Sequence, residues 1–432
     1  MLSSQLLEDQ QIQSFLRQGY LTLQADLPVE FHAHVHREIR ELFAREGNPG
    51  NDILPRVPEI YEVLWHPAVH GALSSLLGPD YLIHPHRHCH QNTAGSSGQH
   101  MHQDSYEADE NVRHHRIRWL MAFYYPQDVN ESFGPSSIVP ESQFLTWGDK
   151  HGSPHELPVC GRAGTFTIVH YDLWHRAMAN RRDRDRFMVK FLFTRMSEPH
   201  AAAWRHNGSD WPENDADLDP LHHHLWDWLR DEQSNDVSTA GSDVRLESEA
   251  ARLHAVYRLA HQGDVDTLLE TTRRETAQRL ASNLDRDHTN PAQLDAAFGL
   301  TAAGSAAVPA MIDRLTDEEW ILRASAADVL GDIGTQAAEA VPALTEALGD
   351  ESEWVRRNAA EALGIIGNEA APAVDALSAA LADPFTATRH NAVLSLMKIG
   401  GCGGDRRALT AALEDDNNYV RELSALALER PS

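Results

Sequence analysis

Cysteine is scarce in this chain of 432 residues: Cys89, Cys160 and Cys402 are odd in number and far apart. A disulfide framework is thereby excluded, and so is a thiolate metal cluster, since both need paired or closely spaced cysteines. Long apolar runs are missing as well. No stretch reaches the ~18–20 residues that a membrane-spanning helix needs, and the first nine residues lack the basic region of a secretion signal. The expectation is a cytoplasmic protein with no membrane partner. Positive charge is short too, with 37 Lys and Arg against 64 Asp and Glu, a formal net charge of −27. A field of that sign repels phosphate backbones, so nucleic acid is not an expected partner.

What remains is a soluble composition, 42% hydrophobic, at a length that suits two or three domains. Histidine is abundant at 26. A metal argument therefore cannot rest on its count and has to come from spacing.

Residues 4–46 read as helix, strand, helix. Leu6, Leu7, Ile12, Phe15 and Leu16 recur at helical spacing, Gly19 stops them, and Tyr20 to Leu23 alternate like a strand. Pro28 then opens a second amphipathic helix. Residues 58–77 read as a further helix ending near Gly78. From about 81 the pattern changes to strand-like pieces at 81–92, 98–106, 116–125, 136–139, 165–170 and 186–194. Glycines and prolines separate them, which suggests a sandwich or barrel. Residues 196–244 are polar, with one helix expected at 221–229 and linker composition at 233–243.

The last third repeats. Gly334, Gly367 and Gly400 are 33 residues apart, as are Asp317, Asp350 and Asp383, and Arg323, Arg356 and Arg389. Each unit reads as two helices, and a pair of that size cannot bury its apolar face alone, so the units must stack into a solenoid. In the first helix Val341, Leu344 and Leu348 form the apolar stripe. The aspartate suits an N-cap, and Pro384 suits the first helical position.

The residues that carry chemistry lie in the strand-rich part. His102 and Asp104 are two apart, so in an extended segment both side chains leave the same side and can fill two adjacent positions on a metal. Another strand, 164–175, ends in His175. Arg186 follows eleven residues later and opens the apolar run 187–193, where an arginine needs a carboxylate partner. His100, His170 and Arg184 are competing candidates. His84, His86, His88 and His90 alternate along one expected strand, either as a polar face or as a second metal site. His222, His223 and His224 are expected to be solvated, and Trp119 lines either the pocket or the core.

Taken together, the motif at 13–20, His102-x-Asp104, Trp174-His175, Asn180 and Arg186 resemble the phytanoyl-CoA dioxygenase family of iron(II)/2-oxoglutarate oxygenases over roughly residues 5–200. The 305–430 repeats resemble the short HEAT-like class. The resemblance implies an α+β fold, a double-stranded β-helix (jelly-roll barrel) followed by an all-α solenoid. It implies iron(II) held by His102, Asp104 and His175, with 2-oxoglutarate and O2 as co-substrates. Arg186 would hold the far carboxylate of 2-oxoglutarate, with Trp119 a further cofactor-binding residue. The family's Gly-Pro turn is matched only in part, because Glu141 and Gln143 stand where Gly and His are usual; separately, Ala177 replaces a small hydroxyl residue that in some members touches the co-substrate. Related halogenases carry Gly or Ala at the position of Asp104, so the aspartate implies hydroxylation or another oxidation over halogenation.

The expected domains are 1–200, the oxygenase; 201–244, a linker; and 245–432, the solenoid. The expected activity is oxidation of a C–H bond in a small-molecule substrate. The alternatives are a HEAT-repeat protein-binding scaffold with the barrel as a binding module, and an oxygenase acting on a protein- or carrier-bound substrate. In either case the repeats would bind a protein partner or mediate self-association.

Overall fold

A computed structural model describes residues 5–104, 114–146, 153–212, 216–232, 248–281, 294–400 and 406–430. By backbone contacts the chain divides into two compact units. One comprises residues 1–104, 117–195 and 201–211, and the other residues 105–116, 196–200 and 212–432.

Among its described residues the first unit carries eight strands: β1 (Tyr20–Gln24), β2 (Leu82–Asn92), β3 (Trp119–Tyr124), β4 (Ser136–Ile138), β5 (Leu157–Pro158), β6 (Thr165–His170), β7 (His175–Ala177) and β8 (Arg186–Thr194). They form a five-stranded sheet in the order β1-β6-β3-β8-β2 and a three-stranded sheet in the order β5-β4-β7. All the pairings are antiparallel. This is the expected jelly-roll architecture. Met121, Phe123, Tyr125, Ile138, Val169, Leu173 and Met188 pack into one core between the two sheets.

β3 and β8 are buried along their whole length. Successive strand residues face opposite ways. Phe187 meets Phe43 of the helix Val29–Glu46, with ring centroids 5.1 Å apart. Tyr124 reaches His32 of the same helix at 2.9 Å. Phe187 and Tyr124 therefore face outward, and Arg186, Met188, Lys190 and Phe123 face inward.

Two local expectations change. Residues 58–77 form two helices, Ile60–Leu64 and Pro67–Leu77, because Pro67 starts a new first turn instead of continuing the old one. Within 98–104 the expected strand reduces to an isolated bridge between His102 and His175 and one backbone bond from the Gln99 amide to the Ala177 carbonyl at 2.8 Å. Residue 105 onward in that expected strand, and the 233–243 linker, lie outside the described residues.

The segment 201–211 joins this unit through Asp9. The Asp9 carboxylate accepts from Trp204 Nε1 at 2.6 Å, His206 Nδ1 at 2.9 Å and the Asn207 amide at 3.1 Å. Burial works against its charge, but these donors outweigh burial and hold its pKa at about 2.

The second unit is all-helical in its described residues, with long helices Trp320–Ile333, Glu353–Ile366 and Thr386–Lys398 set one repeat apart. A Cβ at Gly331 would sit 2.7 Å from Ala362 Cα, and one at Gly364 would sit 2.7 Å from Ser395 Cα, so glycine here allows consecutive long helices to touch. The repeated aspartates do not cap helices, which start three residues later. Asp350, Asp383 and, one residue short of the 33-residue step, Asp415 accept both arms of the preceding repeat's arginine: Arg323 on Asp350 at 2.8 and 2.9 Å, Arg356 on Asp383 at 2.7 and 3.0 Å, Arg389 on Asp415 at 2.7 and 3.0 Å. Such two-pronged pairs fix geometry as well as adding energy. Pro384 likewise precedes its helix, which begins at Thr386. The apolar stripe is Val341, Leu344 and Ala347, with Leu348 only half-buried.

Inside this unit His114 lies between Asp332 at 2.9 Å and Glu361 at 3.2 Å. His115 stacks on Phe298 at 3.6 Å. The expected helix near 221–229 spans Asp219–Arg230, but His222 and His224 are buried in it. The expectation of a solvated face fails because the helix is buried nearly all round: every residue from Asp219 to Leu229 except His223 is buried, and His224 packs against the rings of Tyr257 and His261.

Candidate metal centre

His102 and His175 face each other as a hydrogen-bonded antiparallel pair. The amide of each donates to the carbonyl of the other at 2.9 Å. Residues opposite one another in such a pair carry their side chains on the same face, and the rings lie 4.5 Å apart. Asp104 returns to that face two residues on. Its Oδ1 is 3.8 Å from His102 Nε2 and 3.6 Å from His175 Nε2. One ligand atom from each of the three lies within 4.8 Å of the others, and no other such His, Cys, Asp and Glu group occurs among the described residues.

The donor set suits a first-row divalent metal. His102 Nδ1 bonds the His100 carbonyl and His175 Nδ1 bonds the Leu173 carbonyl, both at 2.9 Å. A carbonyl only accepts, so each Nδ1 carries the proton and each Nε2 keeps its lone pair for a metal. Burial, partly offset by Asp104, pushes His175 down to about 4, so it is neutral at pH 7. Asp104 is held well below the usual carboxylate range. Burial opposes this, but Lys190 and His175 outweigh it. Two histidines and a carboxylate on one face are the donor set of non-haem iron(II) oxygenases.

Arg186 opens β8 and points into the barrel, 1% exposed. Its Nε and Nη2 donate to the Gly134 carbonyl at 2.9 and 2.8 Å, and its Nη1 has no partner. A buried guanidinium with a free arm is suited to an anionic guest. Gly134 makes this geometry reachable. It sits at φ +63°, and a Cβ there would come within 2.4 Å of Asn92 Nδ2 and 2.9 Å of Asn180 Cα.

The competing candidates are placed elsewhere. His100 is exposed, and so are Arg181, Arg182 and Arg184. His170 is buried on β6, where its Nδ1 accepts from the Asp172 amide at 3.2 Å. The histidine row is broken by a register shift between Ile83 and Arg87. His88 and His90 pair with Lys190 and Met188 and so face inward, while His84 packs edge-on against Trp119. Trp119 faces the interior but pairs with Thr194, eight residues from Arg186 along β8. At ~3.3 Å per residue that is on the order of 25 Å. Assigning it to the co-substrate alongside Arg186 is therefore corrected.

Gln143 and Glu141, the two departures in the turn, have local roles. Gln143 Nε2 donates to the Leu16 and Arg17 carbonyls at 3.0 and 3.1 Å, closing the C-terminus of the helix Asp9–Gln18. Glu141 takes a left-handed φ of 66°, where glycine is usual, and accepts from Gln18 Nε2 at 2.6 Å.

Sequence reasoning missed Lys190. It is buried on β8, and its Nζ lies 2.6 Å from Asp104 Oδ2. Its signal was present: a lone lysine in an apolar strand, two periods of two from Arg186.

Residues 10–188 match the model of the phytanoyl-CoA dioxygenase (PhyH) family, and residues 308–374 match that of HEAT repeats. The chain carries a phytanoyl-CoA dioxygenase family domain. That domain is an oxygenase dependent on iron and 2-oxoglutarate, followed by a helical region with HEAT repeats.

Among solved structures, the chain is similar to the non-haem α-ketoglutarate-dependent carbocyclase SnoK from nogalamycin biosynthesis. Identity is 19%, over 44% of this chain and 85% of that one, with a TM-score of 0.36. It is also similar to EctD from S. alaskensis, solved with 2-oxoglutarate and 5-hydroxyectoine, at 15% identity over 44% and 77% with a TM-score of 0.38. A third is apo HygX from Streptomyces hygroscopicus, at 13% identity over 48% and 95% with a TM-score of 0.37. No curated protein sequence matches the chain. Among the described residues, no helix of the chain is long and apolar enough to cross a membrane.

Proposed function

We propose that the chain hydroxylates a C–H bond of a small-molecule substrate. 2-Oxoglutarate and O2 are consumed, and succinate, CO2 and the alcohol are released. One oxygen atom enters succinate and the other enters the product. In this reading His102, Asp104 and His175 hold iron(II), which supplies the activation of oxygen when bound. The protein's own residues bind, orient and exclude water. Arg186 receives the far carboxylate of 2-oxoglutarate on its unpartnered Nη1 while Gly134 fixes its other arm. Phe123, Met188 and Tyr125 form the apolar wall beside it. Asp104, a carboxylate where related halogenases carry Gly or Ala, favours oxygen transfer over halogen transfer. The free thiols of Cys89 and Cys160 support a reducing, cytoplasmic setting.

The observation that carries the reading is the convergence of two free Nε2 lone pairs and one carboxylate oxygen on one face. The test is anaerobic addition of iron(II) and 2-oxoglutarate. A weak metal-to-ligand absorption band is expected in the wild type and lost in His102→Ala. Absence of the band in the wild type, or its persistence in the variant, refutes the assignment. Succinate release across pools of free metabolites would then identify the substrate.

A further inference from the structure

The two oxygens of Asp104 are engaged differently. Oδ1 is turned toward the two imidazoles, 3.8 Å from His102 Nε2 and 3.6 Å from His175 Nε2. Oδ2 is turned away from them onto the ammonium of Lys190, at 2.6 Å. Both partners of this ion pair are held: the side chains of Lys190 and Asp104 are only 8% and 14% exposed. Lys190 stands on the inner face of β8, across from Phe123 on β3 and His88 on β2. It leaves a fully buried strand that is hydrogen-bonded to a neighbour on each side, β3 and β2. Nothing in the oxygenase reading assigns it a task.

A carboxylate can bind a metal through one oxygen or through both. The difference is decisive on a three-residue face. With one oxygen from Asp104, three of six positions stay open, two for 2-oxoglutarate and one for oxygen. With both oxygens only two stay open, and the two co-substrates no longer fit together. An oxygen already accepting a short, charge-assisted hydrogen bond from a buried ammonium is not free to swing onto the metal.

We propose that Lys190 is a positioning residue that pins Asp104 Oδ2 and so keeps Asp104 a one-oxygen ligand. This rests on the assignment of His102, Asp104 and His175 as iron ligands. Lys190 touches neither co-substrate in this account and acts only through Asp104. Arginine at 190 could hold the same oxygen, methionine could not, and glutamine could do so only through a weaker neutral donor.

The experiment is anaerobic titration of the full-length iron(II) protein with 2-oxoglutarate, read from the metal-to-ligand band and normalised to bound iron. It compares wild type, Lys190→Met, Lys190→Arg and Lys190→Gln. In Lys190→Met bound iron is expected to stay near the wild-type stoichiometry. The 2-oxoglutarate Kd is expected to rise at least tenfold, with a shifted band, because the freed carboxylate oxygen competes for a co-substrate position. Lys190→Arg is expected to restore the Kd to within threefold. A merely structural role would instead lower the melting temperature and the iron content and leave the Kd per bound iron unchanged. That result, or a Lys190→Arg Kd no better than that of Lys190→Met, overturns the proposal. Should Lys190→Met fail to fold, Lys190→Gln carries the test: a three- to tenfold rise is expected, and a wild-type Kd overturns it. Absence of the band from the wild type would overturn the iron assignment itself, before any variant is compared.

Discussion

Replacing Arg186 with methionine separates binding from stability, and the structure sets the size of each effect. The guanidinium is 1% exposed and spends two nitrogens on one acceptor, the Gly134 carbonyl, at 2.9 and 2.8 Å. That carbonyl also accepts from Asn92 Nδ2 at 3.0 Å, so it keeps a partner when the arginine is gone. Nη1 contributes nothing to the free protein because it has no partner. Removing a buried cation whose hydrogen bonds are incomplete is close to neutral for folding, so the free protein should lose no more than about 1 kcal/mol. Binding should respond differently. A hydrogen bond to a charged group contributes about 1.5–3 kcal/mol, and the free arm can give one or two to a carboxylate. A loss of about 3 kcal/mol corresponds to roughly a hundredfold weaker Kd. Thermal shift makes the contrast visible. Ligand at 100 times its Kd stabilises the wild type by about 2.7 kcal/mol, and the same concentration stabilises the variant by only about 0.4 kcal/mol. The measurement is melting temperature with and without 2-oxoglutarate, in anaerobic iron(II) buffer, alongside the band titration. A variant that binds 2-oxoglutarate within threefold of the wild type would show that Arg186 does not face the co-substrate. A variant that is several kcal/mol less stable without ligand would show that its buried charge serves the fold.

Two further expectations concern groups outside the metal centre. His114→Ala removes the cation between Asp332 and Glu361 and leaves two buried acids facing each other, next to Asp328 and Arg357, at a cost of about 3–5 kcal/mol in urea unfolding. Burial opposes the charge on His114, but the two carboxylates hold its pKa up at about 10, above the unfolded value. Its contribution is therefore full below about pH 6.5 and lost as pH rises through 10, so the gap between wild type and variant should narrow over that range; a constant gap contradicts the charged pairing. Asp9→Ala should cost about 3 kcal/mol through loss of the Trp204, His206 and Asn207 bonds. The Asp9 pKa is depressed to about 2, so its contribution is present above about pH 4 and lost as pH falls toward 2. Acid unfolding followed by Trp fluorescence would test this, and an unchanged acid midpoint in the variant would refute it.

The features legible in the sequence are those that repeat at a fixed step or that a short backbone segment dictates. The 33-residue step exposed the solenoid because each repeat needs the same turn and the same ion pair: Gly334, Gly367 and Gly400 all take a positive φ, and Arg323, Arg356 and Arg389 each reach an aspartate of the next repeat. His102 and Asp104 were legible because two residues of extended chain suffice to put both side chains on one side. The step from His102 to Asp104 survives even though the expected strand around it reduces to a single bridge with His175. What could not be read depends on pairing between distant segments. The aspartates of the repeats looked like helix caps because a cap is local, whereas their arginine partners lie 26 or 27 residues away in sequence. Gln143 looked like a departure from a turn motif because its partners, the carbonyls of Leu16 and Arg17, lie more than 120 residues earlier.

Lys190 belongs to the same class, and it changes how the charge of the chain is to be understood. A net charge of −27 would be expected to repel a dicarboxylate. Screening limits that repulsion to about 8 Å at physiological ionic strength, so a guest inside the barrel responds to the groups that line it. On β8 those are Arg186 and Lys190. Across from Lys190 and Met188, burial holds His88 and His90 below the ordinary histidine pKa, so they add no opposing charge. Asp104 is the one acid of the metal centre, and half of it is already committed to Lys190. The inner face of this acidic protein is therefore locally cationic, and it becomes more so when a divalent metal binds. The sequence hid that inversion because composition averages over both faces of a strand, and only the antiparallel register of β2, β3 and β8 separates them.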